Sequence, residues 1–366
     1  MSKICHITSV HPRYDVRILG KECVSLAKAG NDVVLLVADG LPQEIYEGVA
    51  VYSVKNISKN RVARIISAKR KFIREARSVD AQIYHFHDPE LLSLGMKLKK
   101  FGKIVIYDSH EDVPRQILAK TWLPKWIRKP ISYIFEKYEN RIVNKLDAVI
   151  VPTPHIRDRF LPINSNTSII ANFPILEEFA HTDNTQKRVQ ACYVGGITRN
   201  RGIYQIAEAT SRAETRLLLC GPFESEEVKN DILSRYEHIE YLGVVNRKKI
   251  AEVIQSSQMG FVTLLYTPNH FYSYPIKMFE YMAGGIPVIA SNFPLWKTIV
   301  DDGCCGLTVD PENIDAITDA ILRIRLYPGE AEKMGKNGRE KVIMEYNWQK
   351  QSEILISLYS SVSLPK

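Results

Sequence analysis

The chain has 366 residues, 45% apolar and 25% charged, the composition of a globular protein with room for two domains and no need of disulfides to fold. Its cysteines (Cys5, Cys23, Cys192, Cys220, Cys304 and Cys305) include no C-x-x-C pair and read as reduced thiols of a cytoplasmic protein. Residues 1–178 hold 28 Lys and Arg against 19 Asp and Glu, while the rest hold 21 against 22, so the basic excess lies in the first half.

Two segments carry that excess, 55–77 and 115–145. The second interleaves Trp122, Trp126, Tyr133 and Phe135 with its basic residues, a pattern suited to peripheral contact with an anionic membrane. A solvated Lys-rich face is the ordinary alternative. Nucleic acid ranks below both, since no zinc knuckle, RRM-type motif or helix-turn-helix spacing occurs. The N-terminus lacks a charged leader followed by a long apolar stretch, and no apolar run reaches about 18 residues, so neither a signal peptide nor a membrane span is expected.

In chain order, short β-branched runs alternate with helical periodicity: "KICHITSV", "DVVLLVA", "AQIYHFH", "KIVIYDS", "DAVIVPT" and "TSIIANF". Runs apolar on both faces, separated by helices, predict a parallel sheet covered on both sides. A polar stretch around 173–188 follows, and the rhythm restarts with "VQACYVGG", "TRLLLCG", "IEYLG", "MGFVTLL", "IPVIAS" and "CGLTV". The fold class expected is α/β, with a Rossmann-like domain over 1–178, a second over 179–345, and a C-terminal helix over 346–366 packing back on the first.

Open parallel sheets bind ligands beyond the carboxyl ends of their strands. In the second half, the first strand ends in "YVGGITRNRGI". Gly195 and Gly196 allow close backbone approach, and Arg199 and Arg201 add positive charge at a helix start, which suits a diphosphate. An ordinary βα turn is the alternative. Further on, "YSYPIKMFEYMAGGIPVIAS" puts Pro275 in the first turn of a helix, where its missing N–H costs nothing. There the amides of Ile276 and Lys277 and the Lys277 ammonium face a phosphate. Glu280, three residues on, can accept hydrogen bonds from a ribose diol; a surface Lys–Glu pair is the plain reading. In the first half, "DSHEDVP" offers His110, Glu111 and Asp112, or else a helix cap. In "HFHDPE", Asp88 and Pro89 read as a helix start, with His85 and His87 as lining residues. Asp15 and Arg17 either border a ligand cleft or cap and pair a helix. The histidine spacing fits no common zinc pattern, so no metal is expected.

Order and spacing of these pieces, with "LLLCGP", "EYLGVVNRKKIAEVIQSSQ" and "DDGCCGLTVDP", resemble the retaining GT-B glycosyltransferases of family 4 over nearly the whole chain. The resemblance implies two Rossmann-like domains facing across a deep cleft, and sugar transfer from a UDP- or GDP-sugar to a glycan or lipid-linked acceptor in surface polysaccharide synthesis. No further cofactor is implied. Arg201 and Lys277 match the family's phosphate-binding cations, Glu280 its ribose carboxylate, and Gly243 and Val244 its base contact, with Gly221 in the pocket. His110 matches the active-site histidine. Asp15, Arg17, His87, Glu111 and Asp112 fall on the acceptor side.

Two positions depart from the family pattern. Tyr272 stands where an upstream Glu usually holds the donor sugar, passing that task to Tyr272, Ser273, the loop backbone or Asn269, with Tyr274 among the donor-binding residues. Gly196 replaces a basic residue, leaving Arg199 or Arg201 to compensate. A nucleotide-sugar 2-epimerase and a non-catalytic sugar-binding protein are the rival readings; a dehydrogenase is disfavoured because strand one leads into "SVHPRYD" and not G-x-G-x-x-G.

Overall fold

Two parallel sheets organise the chain, and a computed structural model describes residues 2–55, 61–120, 122–179, 190–267 and 270–363 (backbone alone for 61–69). They belong to two compact units, Met1–Asn172 with Gln351–Lys366, and Phe173–Lys350. The division falls at Asn172/Phe173, ahead of the 178/179 boundary drawn from the polar stretch. Phe173 packs its ring on Tyr274, Phe279 and Tyr346, which fixes it to the second unit.

The first unit contains β1 (Lys3–Thr8), β2 (Asp32–Val37), β3 (Glu44–Tyr46), β4 (Val49–Ser53), β5 (Ile83–Phe86), β6 (Ile104–Asp108), β7 (Ala148–Val151) and β8 (Thr167–Ile169). The sheet order is β3-β4-β2-β1-β5-β6-β7-β8, and β3–β4 is its antiparallel pair. Strands β1, β2, β5, β6 and β7 are buried almost throughout, as helices on both faces require. The β3–β4 hairpin had no signal in the sequence. Its two-residue loop, Glu47–Gly48, has both φ angles positive (44° and 83°), the backbone of a primed turn reached without the usual Asn-Gly.

After β1 the chain enters a π-type helix, Val16–Cys23, that continues as the α-helix Val24–Lys28. Its wider winding, seen in the bond from Gly20 N to Asp15 O, turns Arg17 and Glu22 both into the interior.

The second unit contains β9 (Ala191–Val194), β10 (Leu217–Cys220), β11 (Ile239–Tyr241), β12 (Met259–Val262), β13 (Val288–Ser291) and β14 (Gly306–Val309). All pair in parallel, in the order β11-β10-β9-β12-β13-β14. The order reverses between β9 and β12, the switch point where doubly wound sheets open for ligands. In the first unit the corresponding reversal lies between β1 and β5. Among the described residues no helix is long and apolar enough to cross a membrane.

Candidate active site

The switch point of the second unit brings Arg201 and Lys277 to one turn. β9 ends at Val194 and the chain turns through Gly195 and Gly196. A methyl group built on Gly195 would lie 3.7 Å from both Lys277 Nζ and Arg201 Nη1. Arg201 Nη1 also donates to Gly196 O (3.3 Å). Two glycines make this packing achievable. Gly221 (φ 137°) lies so close to the Gly195 carbonyl that a Cβ would sit 2.1 Å from its oxygen, and Gly202 (φ 75°) would place one 2.2 Å from Thr263 O.

Lys277 opens the helix Ile276–Ala283, with Pro275 at the N-cap. Its side chain is 8% exposed, its Nζ lacks a hydrogen-bond partner, and it stands 3.5 Å over the Tyr193 ring centroid. Burial first, and Arg201 second, hold its ammonium well below the usual lysine range. Thr263 Oγ1, just past β12, is likewise buried without a partner. An unpaired buried ammonium beside an arginine is costly, and a phosphate would satisfy both cations.

The other expected donor residues divide into groups. Arg199 reaches Glu224 (3.4 Å) and Glu227 (3.0 Å) and covers the Tyr204 ring, so Arg201 is the arginine at the glycine turn. Glu280 is buried but not bare: Arg247 Nη1 donates to its Oε1 at 2.6 Å, while Arg247 Nε donates to Glu178 (3.1 Å). A ribose diol would therefore meet a carboxylate already held by a guanidinium. Gly243 O is taken by Gly221 N (2.8 Å), and Val244 is 75% exposed. Ser273 bonds His270 O through Oγ and accepts from Trp296 Nε1. Tyr274 packs on Phe173 and Phe279, while Tyr272 and Ile276 are exposed. Asn269 lies outside the described residues.

In the first unit, buried polar groups meet around Asp108, at the end of β6. Arg17 grips its carboxylate with two hydrogen bonds (3.0 and 3.1 Å) and donates a third to Ile170 O. His110 Nε2 lies 3.0 Å from Asp108 Oδ2 and 3.2 Å from His87 Nδ1. Burial opposes ionisation of Asp108, but Arg17 and His110 hold it well below the carboxylate range. Burial lowers His87 to about 4, so it stays neutral near pH 7. Asp15 caps the helical segment by accepting from Arg17 N and Ile18 N (both 2.9 Å) and also meets His11. Asp112 faces Arg115 and Arg159 at 3.6 Å, and Glu111 accepts from Gln116.

Residues 175–341 match the family described as "Glycosyl transferases group 1", and residues 21–173 match "Glycosyltransferase Family 4". The chain is a glycosyltransferase of this group 1, family 4 kind. Phosphatidyl-myo-inositol mannosyltransferase of Mycobacterium leprae is 26% identical over 95% of this glycosyltransferase and 90% of the relative. The fold is GT-B. It aligns with sucrose-phosphate synthase (tll1590) from Thermosynechococcus elongatus at a TM-score of 0.79, 19% identity and 99% coverage of both chains. The structure of Anabaena Alr3699/HepE in complex with UDP and glucose aligns at 0.75, with 13% identity over 99% of this chain and 100% of that one.

Asp88 and Pro89 do start a short helical turn, Pro89–Leu91, with Asp88 at its N-cap position. The Asp88 side chain makes no capping bond; it accepts instead from Thr8 Oγ1 (2.9 Å) and Ser9 Oγ (3.1 Å), because β1 ends beside β5. The "DSHED" stretch does not act as a side-chain cap either, since Asp112 makes no capping bond and His110 turns to Asp108. Sequence reasoning passed over Asp108, Tyr193, Thr263, Glu178 and Arg247. Asp108 and Tyr193 sit in strands that read as apolar, and for Asp108 a polar residue closing a buried strand was the available signal. Nothing local links Arg247 to Glu178 or Glu280.

Proposed function

We propose that this glycosyltransferase takes its sugar from a nucleoside diphosphate donor and transfers it, with retained anomeric configuration, to a glycan or lipid-linked acceptor. The observation that carries the reading is Lys277 Nζ, buried and unpartnered, converging with Arg201 on the Gly195 turn. As the bond from the anomeric carbon to the diphosphate breaks, negative charge grows on the leaving oxygen, where two fixed cations and a helix N-terminus stabilise it more than the ground state. The acceptor oxygen forms its bond on the face the diphosphate leaves, and its proton passes to a phosphate oxygen. No protein base is needed. His110, oriented by Asp108, is assigned to the sugar, and Glu111 and Asp112 to the acceptor. UDP in the Anabaena neighbour supports a nucleotide donor.

Melting the protein with a panel of UDP- and GDP-sugars tests this. A donor at about 100 times its Kd should add about 2.7 kcal/mol of stability, and a panel without a single shift overturns the reading. Product analysis then separates transfer, which needs an acceptor, from epimerisation, which releases a free altered nucleotide-sugar.

A lipid-linked acceptor in surface polysaccharide assembly draws support from the first unit. Trp122, Trp126, Tyr133 and Ile134 are all exposed, Lys120 and Lys137 lie over two of the rings, and such amphipathic faces settle on anionic bilayers. The basic segment 55–77 lies partly outside the described residues. Replacing Trp122 and Trp126 by Ser should abolish sedimentation with phosphatidylglycerol vesicles and spare phosphatidylcholine controls; undiminished sedimentation rejects this face.

A further inference from the structure

We propose that His6, Glu22, His85 and His87 form a binding site for a divalent transition cation of the zinc type, buried in the first unit. The four residues come from β1, the π-type helix, β5 and the residue after β5, and each brings a ligand atom within 4.8 Å of all the others. His6 and His85 are register partners on adjacent parallel strands, and His87 follows His85 by two, so all three imidazoles share one face of the sheet.

The hydrogen bonds already have the pattern that metal-bound histidines require. His6 Nδ1 and His87 Nε2 face each other at 3.0 Å. With Zn–N near 2.0–2.1 Å, two nitrogens on a tetrahedral ion stand about 3.3 Å apart, so this pair is nearly spaced for a cation. The far nitrogen of each ring has an outer partner, as ligating histidines usually do. His87 Nδ1 lies 3.4 Å from Asp108, and His6 Nε2 lies 3.1 Å from the Tyr359 hydroxyl. His85 holds the same hydroxyl with Nδ1 (2.8 Å), while its Nε2 has no hydrogen bond to lose.

Glu22 supplies the charge. Its side chain is fully buried and neither oxygen has a hydrogen-bond partner. The nearest cation is Arg17, with Nε 3.0 Å from Glu22 Oε1, but that guanidinium directs its hydrogen bonds to Asp108 and Ile170 O. A carboxylate left without donors in the interior needs either a proton or a cation. Glu22 Oε2 lies against the His85 ring, 3.9 Å from its Nδ1, and Glu22 is the carboxylate of a set whose four ligand atoms all lie within 4.8 Å of one another. A closed four-ligand set is the structural kind of site. It would tie β1, β5 and the helix behind Arg17 together, directly beside His110, whose Nε2 stands 3.2 Å from His87 Nδ1.

Untagged protein purified without chelators provides the test. Elemental analysis should find about one zinc per chain. After chelator treatment, Co2+ should give the intense visible bands of a four-coordinate ion, and Zn2+ should restore the higher melting temperature and quench them. His85→Gln and Glu22→Gln should each abolish the bands. If wild-type protein, folded by circular dichroism, carries under about a tenth of an equivalent, and neither Zn2+ nor Co2+ shifts its melting or absorbs, the cluster is a proton-sharing histidine network and the proposal falls.

Discussion

Lys277→Met is expected to lower turnover by about 10²–10³ while raising the stability of the second unit. The two effects share one cause. The lysine is nearly fully buried with no hydrogen-bond acceptor, and it is desolvated beside Arg201. A cation over an aromatic ring gains about 2 kcal/mol when desolvated, and Tyr193 supplies that ring. Even so the ammonium is held well below its normal range, so desolvation and Arg201 outweigh the ring. Methionine keeps the buried stem and removes the charge, relieving the folded protein and depriving the leaving diphosphate of its partner.

The pH dependence follows in sign. With its folded value below the unfolded one of about 10.4, Lys277 binds fewer protons folded than unfolded across the interval between them. Stability therefore climbs as pH rises through that window and is lost on descent. The Met variant should lack this slope. A bound diphosphate favours the charged form, so donor binding takes up a proton, and its affinity weakens as pH rises. Calorimetry of UDP or GDP binding in two buffers of different ionisation enthalpy measures that uptake. An unaltered turnover in Lys277→Met would remove the ammonium from the mechanism.

The sheet was legible because buried parallel strands leave a strong mark. "VVLLV" and "AVIV" had no polar residue to spoil the pattern, and the strands expected from such runs in both halves are present. Strands β3 and β4 were not legible, since Ile45 is exposed, only Val49 and Val51 of the pair are buried, and the turn uses Glu-Gly. Local grammar pointed to Arg201, in the glycine turn after β9, and to Lys277, at a helix start beyond the loop that follows β12. The histidine cluster was not. Zinc spacing rules look along the chain, whereas His6 meets Tyr359 across 353 residues. A histidine inside the apolar run "KICHIT" was the hint, because a buried imidazole must find a partner. Glu280 illustrates the opposite failure, where the residue was chosen for its carboxylate and the Arg247 that already holds it comes from another helix.

Asp108→Ala should destabilise the first unit by about 3–5 kcal/mol, a large share of the roughly 5–15 kcal/mol a domain possesses. The loss comes less from the missing attraction than from what remains. Arg17 is fully buried and always charged, and its two bonds to Asp108 would be replaced by a void. Glu22 stands 3.0 Å from Arg17 Nε but out of line for a hydrogen bond, so it compensates incompletely. His110 and His87 lose their shared carboxylate as well. Asp108→Asn should be little better, because its amide N–H would confront the guanidinium. The paired change Arg17→Met with Asp108→Leu removes both charges at similar volume, and should recover most of the stability. Activity should not return with it, since His110 would have neither Asp108 nor a fixed ring orientation. Denaturant melts of the three variants, read beside sugar-transfer rates, separate the two roles. Should the double variant regain turnover along with stability, the carboxylate serves only to neutralise Arg17, and His110 needs no orienting partner.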